Sequence, residues 1–514
     1  MRRAGPVGQA SSARRRPVSH RGHGPDTAGG EAALTEIRDL LLGGSDGDPA
    51  LVSARRTISF GELRGRLDRT VEALRTLTGS GEKEVIFCFL QNSIELSLVY
   101  LGAISAGQAV ALFPPDTPVH RKRLLVATYR PGMVFQRPGD PDSYLRESGY
   151  RAVGSAVPGG TGAAWVAPEP AGGVGADLAL LLSTSGSTGS PKLVRIGADA
   201  VLANATGIGR ALGLSAAQRA VTGVPLCYSY GLSILTSHLA AGSAVVVTDL
   251  SPLSVDFWKL VHRAAVTTVG GTPLVHETVL GGRADRLPPS VRVLTQAGGR
   301  LPQRLLRAAV DWADRTGGAF HCMYGQTEAT SRITCLAADR LADKPGSVGT
   351  PLPGGRVTVR PTRPGRSEGA IRYTGPNVML GYATCRADLA RGREVDTLDT
   401  GDLGRLDDDG FLYVTGRSSR FAKVLDRRVS LDDVEEWCGP VGQVAVVATA
   451  GGTPIVVFTT REPDTLAPAR REIAGTLGVP AAMVVVRRLA AMPRTAAGKL
   501  DYSALDQMVD AGSG

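Results

Sequence analysis

Five apolar residues, Leu178-Ala179-Leu180-Leu181-Leu182, run without a break into Ser183-Thr184-Ser185-Gly186-Ser187-Thr188-Gly189-Ser190-Pro191-Lys192. The first half reads as a strand buried in a sheet, and the second as a loop at its carboxyl end. Two glycines let backbone N–H groups approach an anion closely, six hydroxyls add donors, and Lys192 adds a positive charge. The pattern suits phosphate. It is not a Walker A loop, because Pro191 precedes the lysine and the glycines are misplaced. A flexible Ser/Gly linker is the alternative, but a linker has no reason to follow a buried strand or to end in Pro-Lys.

The rest of the chain fits a sheet protein of this kind. Glu84–Leu90 and Ala109–Phe113 read as strands, with Ser93–Ala106 between them as an apolar-faced helix ending at Gly107. Leu178–Leu182, Ala244–Val247, Thr267–Val269 and Val291–Leu294 continue the series. Strands alternating with helical stretches predict an α/β fold, with mainly parallel layered sheets. After about residue 350 the texture changes. Val357–Arg360, Ala370–Tyr373 and Gly410–Thr415 are short strands between Gly, Pro and Asp turns, which predict a small β-barrel-like subdomain. Beyond Arg417, the helical Asp432–Trp437 and the strands Val444–Thr449 and Pro454–Thr459 predict a small α+β domain. The expected division is a tail over 1–30, a large N-terminal domain over 31–417 and a C-terminal domain over 418–514.

With 514 residues, two or three domains are expected. The net charge of +10 raises the question of nucleic acid, but residues 1–30 carry six Arg against one Asp, so half of the charge is local. That Gly-, Pro-, Ser- and Arg-rich segment cannot bury enough surface to order itself, and it lacks the apolar core of a secretory signal. It is expected to be a solvated tail, with a nucleic-acid arm as the alternative. Nucleic acid is not expected, because the charge left outside the tail is mild for its length, and membrane insertion is not, because no uncharged apolar run reaches about 18 residues. Six scattered cysteines (88, 227, 322, 335, 385, 438) form no CxxC pair, and the seven histidines form no HExxH cluster. This argues against a disulfide framework and a zinc site, and buried thiols in a cytoplasmic protein are expected.

Further motifs follow the loop in order. They are Pro225-Leu226-Cys227-Tyr228-Ser229-Tyr230-Gly231, Gln296-Ala297-Gly298-Gly299-Arg300-Leu301 and Met323-Tyr324-Gly325-Gln326-Thr327-Glu328-Ala329. Then come Tyr373-Thr374-Gly375-Pro376-Asn377-Val378-Met379-Leu380-Gly381-Tyr382, Thr400-Gly401-Asp402-Leu403, Gly416-Arg417 and Pro493-Arg494-Thr495-Ala496-Ala497-Gly498-Lys499. In these motifs the chain, over roughly 31–510, resembles the adenylate-forming superfamily of acyl-CoA synthetases, peptide-synthetase adenylation domains and luciferases.

The resemblance implies an ATP-dependent ligase that converts a carboxylic acid to acyl-AMP with release of pyrophosphate. It implies that Thr184, Ser185, Gly186, Ser187, Thr188, Gly189 and Lys192 grip the phosphates and that Gly298 and Gly299 line the nucleotide and acyl site. Tyr324 would stack on adenine, Thr327 bind the α-phosphate, and Glu328 hold Mg²⁺, a hard cation suited to oxygen ligands. Asp402 would accept the ribose hydroxyls, a task for an ionised carboxylate, with Arg417 beside it. Lys499 would offset the charge that develops when a carboxylate attacks a phosphate. The C-terminal domain is expected to be mobile, turning between an adenylation and an acyl-transfer pose, which would protect the acyl-AMP from water. A non-catalytic nucleotide-binding protein is the contrasting class, and intact Glu328, Asp402 and Lys499 speak against it.

Three positions depart from the family pattern. Ser419 stands at a hinge usually Asp or Lys, Asp426 stands where Gly is usual in the pantetheine approach, and Gly369-Ala370-Ile371 lacks the usual Glu. The expected acceptor is a thiol, CoA or the phosphopantetheine of an acyl carrier protein. An amine or other nucleophile is the alternative that Asp426 keeps open. The acyl pocket is extrapolated to Tyr228, Gly271, His276 and Gln296, with His276 readable equally as a core histidine. No buried Asp near Tyr228 would hold an α-amine, so a fatty or aromatic acid is expected. Homodimerisation is left open.

Overall fold

The computed structural model describes residues 37–79, 82–155, 157, 159–183, 192–281, 287–361, 367–417, 420–424, 427–431, 434–435, 444–448, 454–460, 466–477, 479–495 and 499–510. The basic tail, the loop residues 184–191, Ser419, Asp426, Cys438 and most of the helix expected over 432–437 therefore lie outside the described residues.

Strand residues divide between two cores as pleating requires. Along Val85–Phe89, Val85, Phe87 and Phe89 enter one apolar cluster, while Ile86 and Cys88 enter another. That strand lies in an eight-stranded sheet whose centre is parallel: Val85–Phe89 pairs with Ala109–Leu112 and Met133–Gln136, and Ala109–Leu112 with Leu178–Ser183. Its flanks are antiparallel. A nine-stranded sheet has the same plan, with Pro49–Val52, Ala244–Val246, Arg219–Val221, Thr268–Gly271, Val293–Gln296 and Ala319–Tyr324 in parallel succession and antiparallel strands outside them. The sheets are thus mixed, parallel where helical crossovers connect them and antiparallel where short links allow a direct return.

Between the two sheets lies a layer of helices that includes Phe60–Thr78, Ile94–Ser105, Ala198–Ala211 and Ser229–Ala240, all contributing to one shared core. The ends of these helices are encoded locally. The Ser59 and Ser93 side chains accept from the Glu62 and Leu96 N–H groups, and Gly79 closes the first helix at φ 65°. Amphipathic Gln303–Thr316 covers the outer face of the nine-stranded sheet through Leu305, Leu306, Ala309 and Trp312. Val119–Tyr129 covers the eight-stranded one.

Arg356–Pro361, Gly369–Thr374, Thr397–Leu406 and Leu412–Arg417 form a four-stranded antiparallel sheet, the expected small subdomain. Farther on, Val444–Ala448, Ile455–Thr459 and Val484–Arg488 form a three-stranded sheet, joined by the helices Leu466–Leu477 and Tyr502–Asp510 around separate apolar clusters. Among the described cysteines Cys88, Cys227, Cys322 and Cys335 are buried and free, whereas Cys385 is exposed, against the expectation of buried thiols throughout. No helix among the described residues is long and apolar enough to cross a membrane.

Candidate active site

The parallel strands Thr268–Gly271, Val293–Gln296 and Ala319–Tyr324 end side by side, with Gly271 opposite Gln296 and Gln296 opposite Cys322. Ligands of α/β sheets bind at such carboxyl ends. The residues that follow each strand build the site.

After the second strand, Gly298 adopts φ 87°, a left-handed conformation that favours glycine. A side chain there would stand 3.3 Å from Lys499 Cε and 3.6 Å from Thr272 Cγ2, so the bare backbone is also where the lysine passes. Gln296 turns back, its Nε2 donating to the Gly299 carbonyl at 2.7 Å. Tyr324, at the end of the third strand, donates its hydroxyl to Asp402 Oδ2 at 2.5 Å. Asp402 is buried in Thr397–Leu406, directly opposite Arg417 in the antiparallel register, and its Oδ1 accepts from Arg417 Nε at 3.2 Å. Burial and the neighbouring carboxylate push the Tyr324 phenol well above its ordinary value, so it stays a donor.

A single 3-10 turn, Thr327–Ala329, carries the next two groups. Thr327 Oγ1 lies 3.4 Å from Ser229 Oγ, at the start of the central helix. Glu328 Oε1 accepts the Tyr382 hydroxyl at 3.0 Å, and its carbonyl accepts from the Met379 N–H at 2.9 Å. The Lys192 ammonium sits 3.4 Å above the centre of the Tyr382 ring. Tyr382 thus holds a cation on its face and a carboxylate at its tip.

The chain folds tightly behind this turn. A side chain at Gly325 would overlap the Ser331 carbonyl oxygen, and buried Asn377 donates to the carbonyls of Ala329 and Arg332 at 2.8 and 2.7 Å. Lys499 comes from the far end of the sequence, where Arg494 and Leu500 form an antiparallel bridge and Thr495 N–H donates to the Lys499 carbonyl at 2.8 Å. Burial and then the Arg417 cation hold the Lys499 ammonium below its ordinary value, whereas Asp402 and Glu328 pull it up.

The extrapolated pocket residues are placed as follows. Gly271 ends its strand against Val275 and His276, and half-buried Tyr228 caps the helix Ser229–Ala240. His276 is fully buried, its Nε2 donating to the Thr295 carbonyl at 3.0 Å and its ring edge-on to Phe320. Thr184, Ser185, Gly186, Ser187, Thr188 and Gly189 lie outside the described residues. Sequence reasoning missed the partnership of Tyr382 and the buried Arg332, although an arginine alone among the uncharged residues 329–336 was a visible signal.

The profile of the AMP-binding enzyme family matches residues 43–383. An isonitrile lipopeptide synthase of Streptomyces coeruleorubidus is 31% identical over 94% of this chain and 35% of its own length. A 2-succinylbenzoate–CoA ligase of Bacillus cytotoxicus is 36% identical over 48% of this chain and 50% of its own. The chain thus spans about a third to a half of these curated relatives. The fold is that of the o-succinylbenzoate CoA synthetase of Bacillus subtilis in complex with an acyl-adenylate, with TM-score 0.74 and 22% identity over 92% of this chain and 97% of that one. It is also that of ATP-bound MatB from Rhodopseudomonas palustris, with TM-score 0.73 and 20% identity over 92% and 98%. With a family profile covering most of its length and the fold to match, the chain belongs to the AMP-binding enzymes.

Proposed function

We propose that this chain activates a carboxylic acid with ATP, forming acyl-AMP and pyrophosphate, and passes the acyl group to a thiol. Convergence of Lys499 on the strand-end site, beside Gly298 and within the fields of Asp402, Glu328 and Arg417, supports this most strongly. In the first step a carboxylate oxygen attacks the α-phosphorus and pyrophosphate leaves. Lys499 and Thr327 meet the charge developing on the α-phosphate, Tyr324 lies against adenine, and Asp402 and Arg417 hold the ribose. The 184–189 loop and Lys192 bind the departing phosphates. Gly298 and Gly299 give the acyl-phosphate junction bare backbone, with Tyr228, Gly271 and Gln296 around the acid and His276 behind them.

Among the described residues no group of three or more His, Cys, Asp or Glu could hold a metal. A single carboxylate at this site fits Mg²⁺, which commonly binds one or two protein carboxylates and takes its other ligands from phosphates and water. Glu328 would hold it, and the ion would neutralise phosphate charge. A relative of the same fold has been seen with ATP and magnesium.

In the second step a thiolate attacks the acyl carbonyl and AMP leaves. The Bacillus cytotoxicus relative is a CoA ligase, which favours CoA as the thiol, with carrier-bound phosphopantetheine as the alternative acceptor. Separate apolar clusters beyond residue 420 support a C-terminal unit able to turn between the two steps.

Acid-dependent exchange of labelled pyrophosphate into ATP tests the reading. Lys499→Ala is expected to slow exchange ~10²–10³-fold while sparing thiol transfer from supplied acyl-AMP. No exchange with any carboxylic acid would sink the proposal.

A further inference from the structure

Three arginines are buried among the described residues, and two of them are saturated. Arg195 donates to the Tyr382, Arg391 and Gly392 carbonyls and pairs with Glu394. Arg386 reaches the Tyr129, Arg130 and Gly172 carbonyls and pairs with Glu84. Arg332 is different. It is 2% exposed, yet its guanidinium has one long contact, Nη2 to Ser233 Oγ at 3.4 Å, and a place over the Tyr230 ring at 4.7 Å. Its Nε has no partner, and no described carboxylate pairs with it. A guanidinium offers five N–H donors, and burying its charge without a counter-charge is costly.

Arg332 lines a cavity of about 10 Å³ between the central helices and the nine-stranded sheet. That is room for roughly one water. The cavity lies just under the site: its wall includes Gly270, Thr295 and Met323, each one residue before Gly271, Gln296 and Tyr324. Tyr230, the residue after Ser229, forms another side. No acidic residue lines it, and His238 on its wall is held neutral by burial, which pushes its pKa down to about 4. His238 Nε2 is also without a partner. The remaining wall includes the apolar side chains of Ile208, Leu212, Ile234 and Met323, of which unbranched methionine is the most adaptable.

We infer that Arg332 receives a second carboxylate at the far end of the substrate, so that the acid activated is a dicarboxylic acid. The inference rests on the acid-activating reading above and narrows its substrate class, replacing the fatty or aromatic monoacid expected from sequence. The backbone of Arg332 is suited to such a role. Its carbonyl is fixed by Asn204 and Asn377 side chains at 3.2 and 2.7 Å, which leaves the guanidinium as the part of the residue with capacity to spare.

The test is pyrophosphate exchange with matched pairs of acids, butyrate against succinate, pentanoate against glutarate and hexanoate against adipate. Wild type is expected to prefer a dicarboxylate in at least one pair, by roughly 10²-fold in kcat/KM, because a monoacid leaves the buried cation unpaired. Arg332→Met is expected to abolish or reverse that preference while retaining exchange with the monoacid. Should Arg332→Met fail to fold, thermal stabilisation of wild type by each acid with a non-hydrolysable ATP analogue gives the same comparison. Equal use of both members of every pair, or loss of all acids alike in a folded Arg332→Met, would overturn the inference and leave acid activation standing. Exchange with no acid at all would overturn the activation reading and this inference together.

Discussion

At the scale of single residues, Tyr382 joins two charged groups that both precede it in the sequence, Glu328 by 54 positions and Lys192 by far more. Its hydroxyl holds Glu328 and its ring carries Lys192. A hydrogen bond to a charged group contributes about 1.5–3 kcal/mol. Tyr382→Phe keeps the ring and deletes that bond, and is therefore expected to raise the Mg²⁺ concentration needed for half-maximal exchange ~10-fold or more. A magnesium titration identical to that of wild type would remove Tyr382 from this role. Glu328, Asp402 and Lys499 were legible beforehand because each sits in a short motif with fixed spacing. The tyrosine stood inside a recognised motif, but nothing in the linear order announces which groups a phenol will meet. His276 shows the same limit. Its neighbours in sequence fit a pocket lining and a core position equally, and the distinction lies in the Thr295 carbonyl that its ring meets after folding.

Among the elements, the turn from Tyr324 to Ile333 depends on close backbone approach. Gly325 lies against the Ser331 carbonyl, and the Ile333 N–H returns to the Tyr324 carbonyl at 2.9 Å. An alanine side chain has no space there, so Gly325→Ala is expected to destabilise the protein by more than ~2 kcal/mol. Chemical denaturation would check this, and an unchanged midpoint would show that the turn relaxes freely. The strands themselves were readable from apolar runs, because buried strands have little other reason to be so uniformly aliphatic. Sheet edges were not, since strand direction is decided by connections rather than by composition. The helix Ser229–Ala240 was obscured by its own hydroxyls. Ser233 and Thr236 donate to the carbonyls of Tyr230 and Leu232, at 2.7 and 3.2 Å, and so can be buried as if apolar.

For the whole molecule, the interior sets the response to acid. Burial pushes the pKa of both His238 and His276 from 6.5 down to about 4. Between those values the unfolded chain binds protons that the folded one refuses, so stability rises with pH and is lost as pH falls through the window. The melting temperature is expected to drop between pH 6.5 and 4, and less steeply in a His238→Gln/His276→Gln variant. Parallel slopes for the two proteins would show that other groups control acid unfolding.

The central helix also has a consequence for how such a protein changes over generations. Tyr230, Ser233, Ile234 and Ser237 face the small cavity, while Leu232, Leu235 and Leu239 face the shared core. One helix therefore carries two alphabets, interleaved at helical spacing. On the dicarboxylate proposal, the first set is open to revision, and with it the diet of the enzyme can drift. The second is committed to both sheets at once, so an inherited change there is judged by folding before chemistry is ever consulted.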